Sequence, residues 1–202
     1  MKSRVIRVRS TGEGMDEALR QAELAAEAYD LSHKDALHLR LLGEEMMGML
    51  RAVTGEMYSD FWVEEEKGTF SLHLSTDTQM YLDKREELLA LSSTGKNAAA
   101  KGFMGKIRSV IDAFATPEVQ GVPSFLSLGL TSAGADGAFL LYDAAADWSL
   151  NAYRAGLESR QDSSETAEAW DELEKSVVAK LADDVSVAIR GNNVELIIYK
   201  TF

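Results

Sequence analysis

Two carboxylates lie inside an apolar helical pattern in the stretch Leu37-His-Leu-Arg-Leu-Leu-Gly-Glu-Glu-Met-Met-Gly-Met-Leu50. Apolar residues recur at the spacing of a helix packed on a core, at Leu39, Leu42, Met46, Met49 and Val53. Glu44 and Gly48 are one turn apart on a second face of this helix. Because glycine has no side chain, it leaves room beside the carboxylate. The stretch therefore predicts either the floor of a pocket or a partly exposed helix with solvated glutamates.

Composition and charge limit the classes of function. The chain has 202 residues, of which 46% are hydrophobic, which is enough for one folded domain with a sizeable core. It contains no cysteine, which excludes disulfides and thiolate metal sites. Its histidines are too scattered to predict a zinc site. A net charge of −12 makes the phosphate backbone of nucleic acid an unfavourable partner.

The sequence gives no targeting or membrane signal. Met1 to Arg4 run directly into alternating charged and β-branched residues, without the apolar stretch of a signal peptide. The longest weakly polar region, about 119–146, is interrupted by Asp136, Asp143 and several glycines. We therefore expect a cytoplasmic protein with no membrane span.

The first third of the chain predicts an edge strand, two helices and a hairpin. Residues 3–9 alternate as an edge strand, and 15–29 have helical spacing. Ser32, three residues before Asp35, is placed to cap the second helix, and Gly55 is placed to end it.

The predicted hairpin pairs 60–64 with 69–75 and buries one face of its second strand. His73 points to the opposite face, where a half-exposed sheet residue is favoured over a ligand or base. Asp77, just past the strand, is better placed for function.

The remainder predicts more helices and a closing hairpin. Residues 80–115 are helical in two pieces, and the piece at 96–114 is the most basic patch of the chain. Further helices are predicted at 138–157 and at 165–182, the latter capped by Ser164. Strands at 185–189 and 194–199 then form the second hairpin. The stretch Ser92-Ser-Thr-Gly-Lys96 lacks the first glycine of a phosphate loop, so a Walker site is not predicted.

This order of elements predicts an α+β two-layer sandwich, with helices packed on one face of a mainly antiparallel or mixed sheet. The order also resembles the histidine-kinase-like (GHKL, Bergerat) ATPase fold, and within it the small anti-sigma-factor serine kinases of bacteria. The resemblance covers 3–79 and about 165–202. It implies a single ATPase-like domain over 1–202, with an enlarged lid-like insertion at about 82–160.

The resemblance assigns roles to four positions. Glu44 matches the family's catalytic base, and Gly48 stands where the family has a magnesium-binding asparagine. Asp77 matches the aspartate that receives the adenine amino group. Asn192, in Gly191-Asn-Asn-Val194, lies where the family has a threonine that supports the adenine site.

The nucleotide motifs are nevertheless degenerate. The sequence Asp77-Thr-Gln79 lacks the glycine of the family's Asp-x-Gly motif, and Ser164 to Glu174 contains none of the glycines that hold phosphates. Phosphoryl transfer depends on placing metal and phosphate, so the loss of these groups predicts loss of ATP turnover.

Three functions follow as hypotheses. The first is a regulatory protein without a cofactor that binds a protein partner, for which the resemblance suggests a transcription-regulatory protein. The alternative is a divergent ATP- and magnesium-dependent serine kinase in which lysines of the middle region replace the phosphate contacts, at Lys96, Lys101 or Lys106. The third is an unrelated α+β domain. The alternating edge strand at 4–9 also permits a homodimer.

Overall fold

The computed structural model describes residues 1–54, 58–77, 146–159, 164–190 and 193–202. The helical pieces predicted at 80–115, the loop resembling a phosphate loop and the basic patch lie outside the described residues. So do Gly55 and Asn192.

The described residues form five helices and six strands. The helices are α1 (Met15–Ala28), α2 (His33–Thr54), α3 (Leu150–Glu158), α4 (Ser164–Lys175) and α5 (Val177–Leu181). The strands are β1 (Ile6–Arg9), β2 (Tyr58–Glu66), β3 (Thr69–Asp77), β4 (Ala146–Ser149), β5 (Asp184–Arg190) and β6 (Asn193–Thr201). None of the described helices combines the length and apolar character needed to cross a bilayer.

All six strands belong to one sheet in the order β1-β2-β3-β6-β5-β4. Every described pair of neighbours is antiparallel. The predicted α+β class with an antiparallel sheet is therefore confirmed for the described strands. The closing hairpin enters the middle of the sheet, because β6 pairs with β3 over its whole length. This pairing brings residues 69–77 beside the last strand of the chain.

One face of the sheet and the helices share a single core. The predicted stripe of α2 is buried at Leu39, Leu42, Met46 and Met49, as expected from its spacing. The first helix contributes alanines, which let its backbone approach the sheet closely. Gly43 lies where α1, α2 and β3 meet, and a Cβ there would be 3.1 Å from a methyl of Leu19. The side chains of Phe70, Leu72 and Leu74 face this core, as predicted.

The opposite face of the sheet, called the polar face below, carries the alternate residues of each strand. On β2 and β3 these include Tyr58, Asp60, Trp62, Ser71 and His73. Two apolar side chains on this side, Ala188 and Ile197, are buried without joining the main core.

Two helix predictions are corrected. Residues 146–149, predicted to be helical, form β4, in which Trp148 pairs with Val187 of β5. The helix α3 begins only after this strand, where the Ser149 hydroxyl accepts the Ala152 N–H at 3.1 Å. The helix predicted at 165–182 is two helices. Ser176 has extended backbone angles (φ −73°, ψ 124°) and caps α5 by accepting the Ala179 N–H. Residues 146–159, placed by sequence in the insertion, thus form β4 and α3 beside β5.

Candidate functional site

Glu44 and Gly48 lie on the outer surface of α2. Glu44 is about half a turn around the helix from the buried stripe, so its carboxylate points away from the sheet. Its Oε1 is 3.0 Å from Nε of Arg40, which also pairs with Glu23 of α1. Gly48 is exposed, and a Cβ there would meet no atom within 4 Å. Both residues therefore lie on an open helix surface, where Glu44 forms an ion pair with Arg40.

Asp77 lies in a different layer of the molecule. It is the last residue of β3, opposite Asn193 of β6, and is exposed. Strand alternation places its side chain on the polar face with Ser75 and His73. The structure therefore does not bring Asp77 together with Glu44. Asn192 lies outside the described residues.

Glu44 and Gly48 do not by themselves offer a free ligand for a magnesium triphosphate. The position that would supply the metal ligand, Gly48, has no side chain, and the carboxylate one turn before it is paired with Arg40. No cluster of three or more histidine, aspartate or glutamate side chains able to hold a metal occurs in the described residues.

A compact polar cluster lies instead on the polar face, formed by Trp62, Ser71, His73 and Glu195. The imidazole of His73 stacks on the indole of Trp62 with ring centroids 4.8 Å apart. Its Nδ1 is 2.8 Å from Oε1 of Glu195, and its Nε2 is 3.0 Å from Oγ of Ser71. Because a carboxylate only accepts, Nδ1 of His73 carries a proton and donates a hydrogen bond to Glu195, while Nε2 and the Ser71 hydroxyl form a second hydrogen bond.

This cluster corrects the expectation for His73. The sequence favoured a half-exposed sheet residue, whereas the side chain is buried, with 9% of the residue exposed. Both ring nitrogens have partners, which satisfies the requirement for a buried polar group. Trp62, Glu195 and Ser71 therefore fix the orientation of the His73 ring.

The cluster continues to the edge of the sheet through Glu64 and Lys2. The Trp62 indole N–H donates to Glu64 at 2.8 Å. Lys2 lies 2.9 Å from the same carboxylate and 4.4 Å above the Trp62 ring centroid. The hydrogen bond from Lys2 lowers the pKa of Glu64 against the opposing effect of burial, and Trp62 and His73 add to the lowering. The charge of Lys2 therefore stabilises the positions of Glu64 and Trp62 at this edge of the cluster.

The connectivity of Ser71, His73 and Glu195 matches a nucleophile, a base and an orienting carboxylate. Acyl transfer also needs free donors for the developing oxyanion. Ser71 lies on an interior strand that is paired with β2 on one side and β6 on the other. The backbone N–H groups around Ser71 are therefore directed into the neighbouring strands. The arrangement can position a rigid aromatic and polar surface, but within the described residues the backbone beside Ser71 offers no free donors for an oxyanion.

The sequence did not predict this cluster, because Glu195 and His73 are 122 residues apart. The available signal was the alternation of polar residues on both strands, with Ser71 and His73 on β3 and Glu195 between apolar residues of β6. Only the pairing of β3 with β6 joins them. Comparison with known proteins finds no matching family model, no similar curated protein and no similar solved structure.

Proposed function

We propose that this chain is a cytoplasmic regulatory protein that acts by binding another protein, on a scaffold that resembles the histidine-kinase-like ATPase fold but does not turn over ATP. The observation that carries the proposal is the separation of Glu44 from Asp77. Glu44 is paired with Arg40 on the outer surface of α2, while Asp77 is at the end of a strand on the polar face. A kinase of this family would need both around one nucleotide.

The composition of the polar face supports a binding role. Trp, Tyr and Arg are the residues most enriched at the centres of protein interfaces. On this face, Arg7 and Arg9 lie beside Tyr58, and Trp62 lies beside Lys2. No helix in the part of the chain that the structure describes packs against these residues. We propose the β1–β2 side of this face, around Tyr58 and Trp62, as the surface that recognises the partner.

The nucleotide question is tested by thermal melts with and without ATP and magnesium, on wild type, Asp77→Asn and Glu44→Gln. A ligand that binds only the native state stabilises it by about 2.7 kcal/mol at a hundredfold excess over Kd. This stabilisation raises the melting temperature. We expect no shift in any of the three proteins. A shift in wild type that disappears in Asp77→Asn would favour the alternative, a divergent ATP-binding serine kinase.

The binding role is tested by cross-linking in extract of the host cell, with Trp62→Ala as the test variant. Leu37→Ala is the control, since Leu37 is an exposed apolar residue on the helical layer. Both variants are first required to keep a cooperative melt. We expect a cross-linked protein that is captured by wild type and Leu37→Ala and lost with Trp62→Ala. Equal capture by wild type, Leu37→Ala and Trp62→Ala would mean that the partner does not bind the polar face.

A further inference from the structure

Two arginines converge on one aromatic ring at the edge of the polar face. The guanidinium carbons of Arg7 and Arg9 lie 5.2 and 5.0 Å from the centroid of the Tyr58 ring. Strand register explains the arrangement, since Arg9 is directly opposite Tyr58 and Arg7 is opposite Asp60. Residues two apart on a strand face the same side. The ring therefore supports two positive charges side by side.

Neither guanidinium has an anionic partner among the described residues, although the net charge of the chain is −12. Several other cations of the described residues do have carboxylate partners, among them Lys2, Arg4, Arg40, Lys175 and Lys200. Asp60 faces Arg7 across the strands without forming an ion pair. The Nε–H of Arg9 is buried and has no acceptor. A buried donor without an acceptor is unfavourable, so an acceptor that reached it would relieve this cost.

The backbone beneath these side chains is fixed. The Arg9 N–H donates to the Glu13 carbonyl at 2.8 Å, and Gly12 N–H donates back to the Arg9 carbonyl at 2.9 Å. Gly14 lies so close to β1 that a Cβ would be 2.2 Å from the Arg7 carbonyl oxygen. The turn after β1 therefore covers the outer edge of the strand at this end. Fixed donors bind with less loss of conformational entropy.

We propose that Arg7 and Arg9, supported by Tyr58, bind an oxyanion of the partner, either a carboxylate or a phosphoryl group. A guanidinium presents forked donors that match two oxygens of such a group. This inference rests on the proposed function and names the chemistry of the partner. A second copy of the chain is a poor occupant, because pairing through β1 would place arginines against arginines and the turn covers part of the edge. The overall negative charge likewise disfavours a polyanion.

The test is NMR observation of the arginine Nε–Hε groups during separate titrations with sodium phosphate and sodium acetate. Sodium chloride at matched ionic strength is the reference. We expect saturable shifts at Arg7 and Arg9 and none at Arg20, an exposed arginine of α1. Stronger binding of phosphate would indicate a phosphoryl source, and stronger binding of acetate a carboxylate source. Shifts that are linear, shared with Arg20 or equal in chloride would overturn the proposal.

Two variants make the test specific. Arg7→Gln removes an exposed guanidinium and is expected to weaken binding about tenfold, the loss of one charge-assisted contact. Arg20→Gln is expected to leave it unchanged, and equal weakening by both would also overturn the proposal. The titration uses the protein alone, so it can fail while partner capture through Trp62 succeeds. It can equally succeed while that capture fails.

Discussion

The imidazole of His73 lies nearly parallel to the indole of Trp62, with an interplanar angle of 10° and Glu195 bound to the ring edge. The two rings come from neighbouring strands, where Trp62 and His73 are directly opposite. The carboxylate comes from β6 on the other side of β3. Three strands thus share one buried polar contact, so its loss is expected to affect the whole sheet.

Replacing Glu195 by alanine is predicted to lower the free energy of unfolding by about 1–3 kcal/mol, since the buried Nδ1–H of His73 loses its acceptor. Urea unfolding measures the change. The control is Glu66→Ala, whose exposed carboxylate pairs only weakly with Lys67 and whose loss should change stability by less than about 0.5 kcal/mol. Equal effects of the two substitutions would contradict a structural role for the polar cluster.

The ion pair between Lys2 and Glu64 predicts a dependence of stability on pH. A carboxyl whose folded pKa is lowered adds stability above its unfolded pKa of about 4.3, and this stability is lost as pH falls through the folded value. Lys2→Gln should raise the folded pKa of Glu64, because the Lys2 hydrogen bond is the main cause of its lowering. The stability difference between pH 7 and pH 3 should therefore shrink.

Urea midpoints at the two pH values give this difference directly. The control is Lys67→Gln, since Lys67 is almost fully exposed and lies 3.6 Å from Glu66. It should leave the difference unchanged. If the stability of Lys2→Gln depended on pH as strongly as that of wild type, the dependence would come from Glu65 and Asp183, the other carboxyls whose pKa is lowered.

Local signals in the sequence predicted much of the fold. The hydroxyl of Ser32 accepts the Asp35 N–H and caps α2 as expected. The spacing of apolar residues predicted the buried stripe of α2, and Gly68 takes positive φ in the first hairpin turn. Propensity failed where tertiary pairing decides. Ala146 to Ser149 form β4 only because β5 offers a free edge, and that edge is created by residues far along the chain.

The site was harder to predict than the fold. The resemblance placed function on Glu44 and Gly48, although the apolar stripe of α2 already put both residues on a face turned away from the core. Arg40, one turn before Glu44, was the available signal for an ion pair on the outer surface. The polar cluster required the register between β3 and β6, which no local pattern supplies.

Gly14→Ala is predicted to destabilise the protein by about 2–4 kcal/mol, because Gly14 combines positive φ (75°) with close contact to the Arg7 carbonyl. Gly12→Ala is the matched control. Gly12 also has positive φ (116°), but a Cβ there would meet no atom within 4 Å. Gly12→Ala should therefore lower the free energy of unfolding only through backbone strain, by about 1–2 kcal/mol. Equal losses at the two positions, measured by urea unfolding, would mean that the turn does not pack against β1.

Gly48→Ala is predicted to raise the free energy of unfolding by about 0.5–1 kcal/mol, the difference in helix propensity between the two residues. The added methyl would meet no neighbour within 4 Å on the outer surface of α2. Gly43→Ala gives the contrast within the same helix. There the methyl would be 3.1 Å from Leu19, so displacement of that side chain offsets the gain in propensity.

Thermal and urea unfolding of the two variants measure this difference. Gly156→Ala, an open position near the end of α3, should give a smaller gain than Gly48→Ala because helix ends fray. A loss of stability in Gly48→Ala would mean that position 48 is covered. We also expect that ATP and magnesium do not change the melting temperature of Gly48→Ala, because position 48 lies on an open surface that makes no contact with a nucleotide.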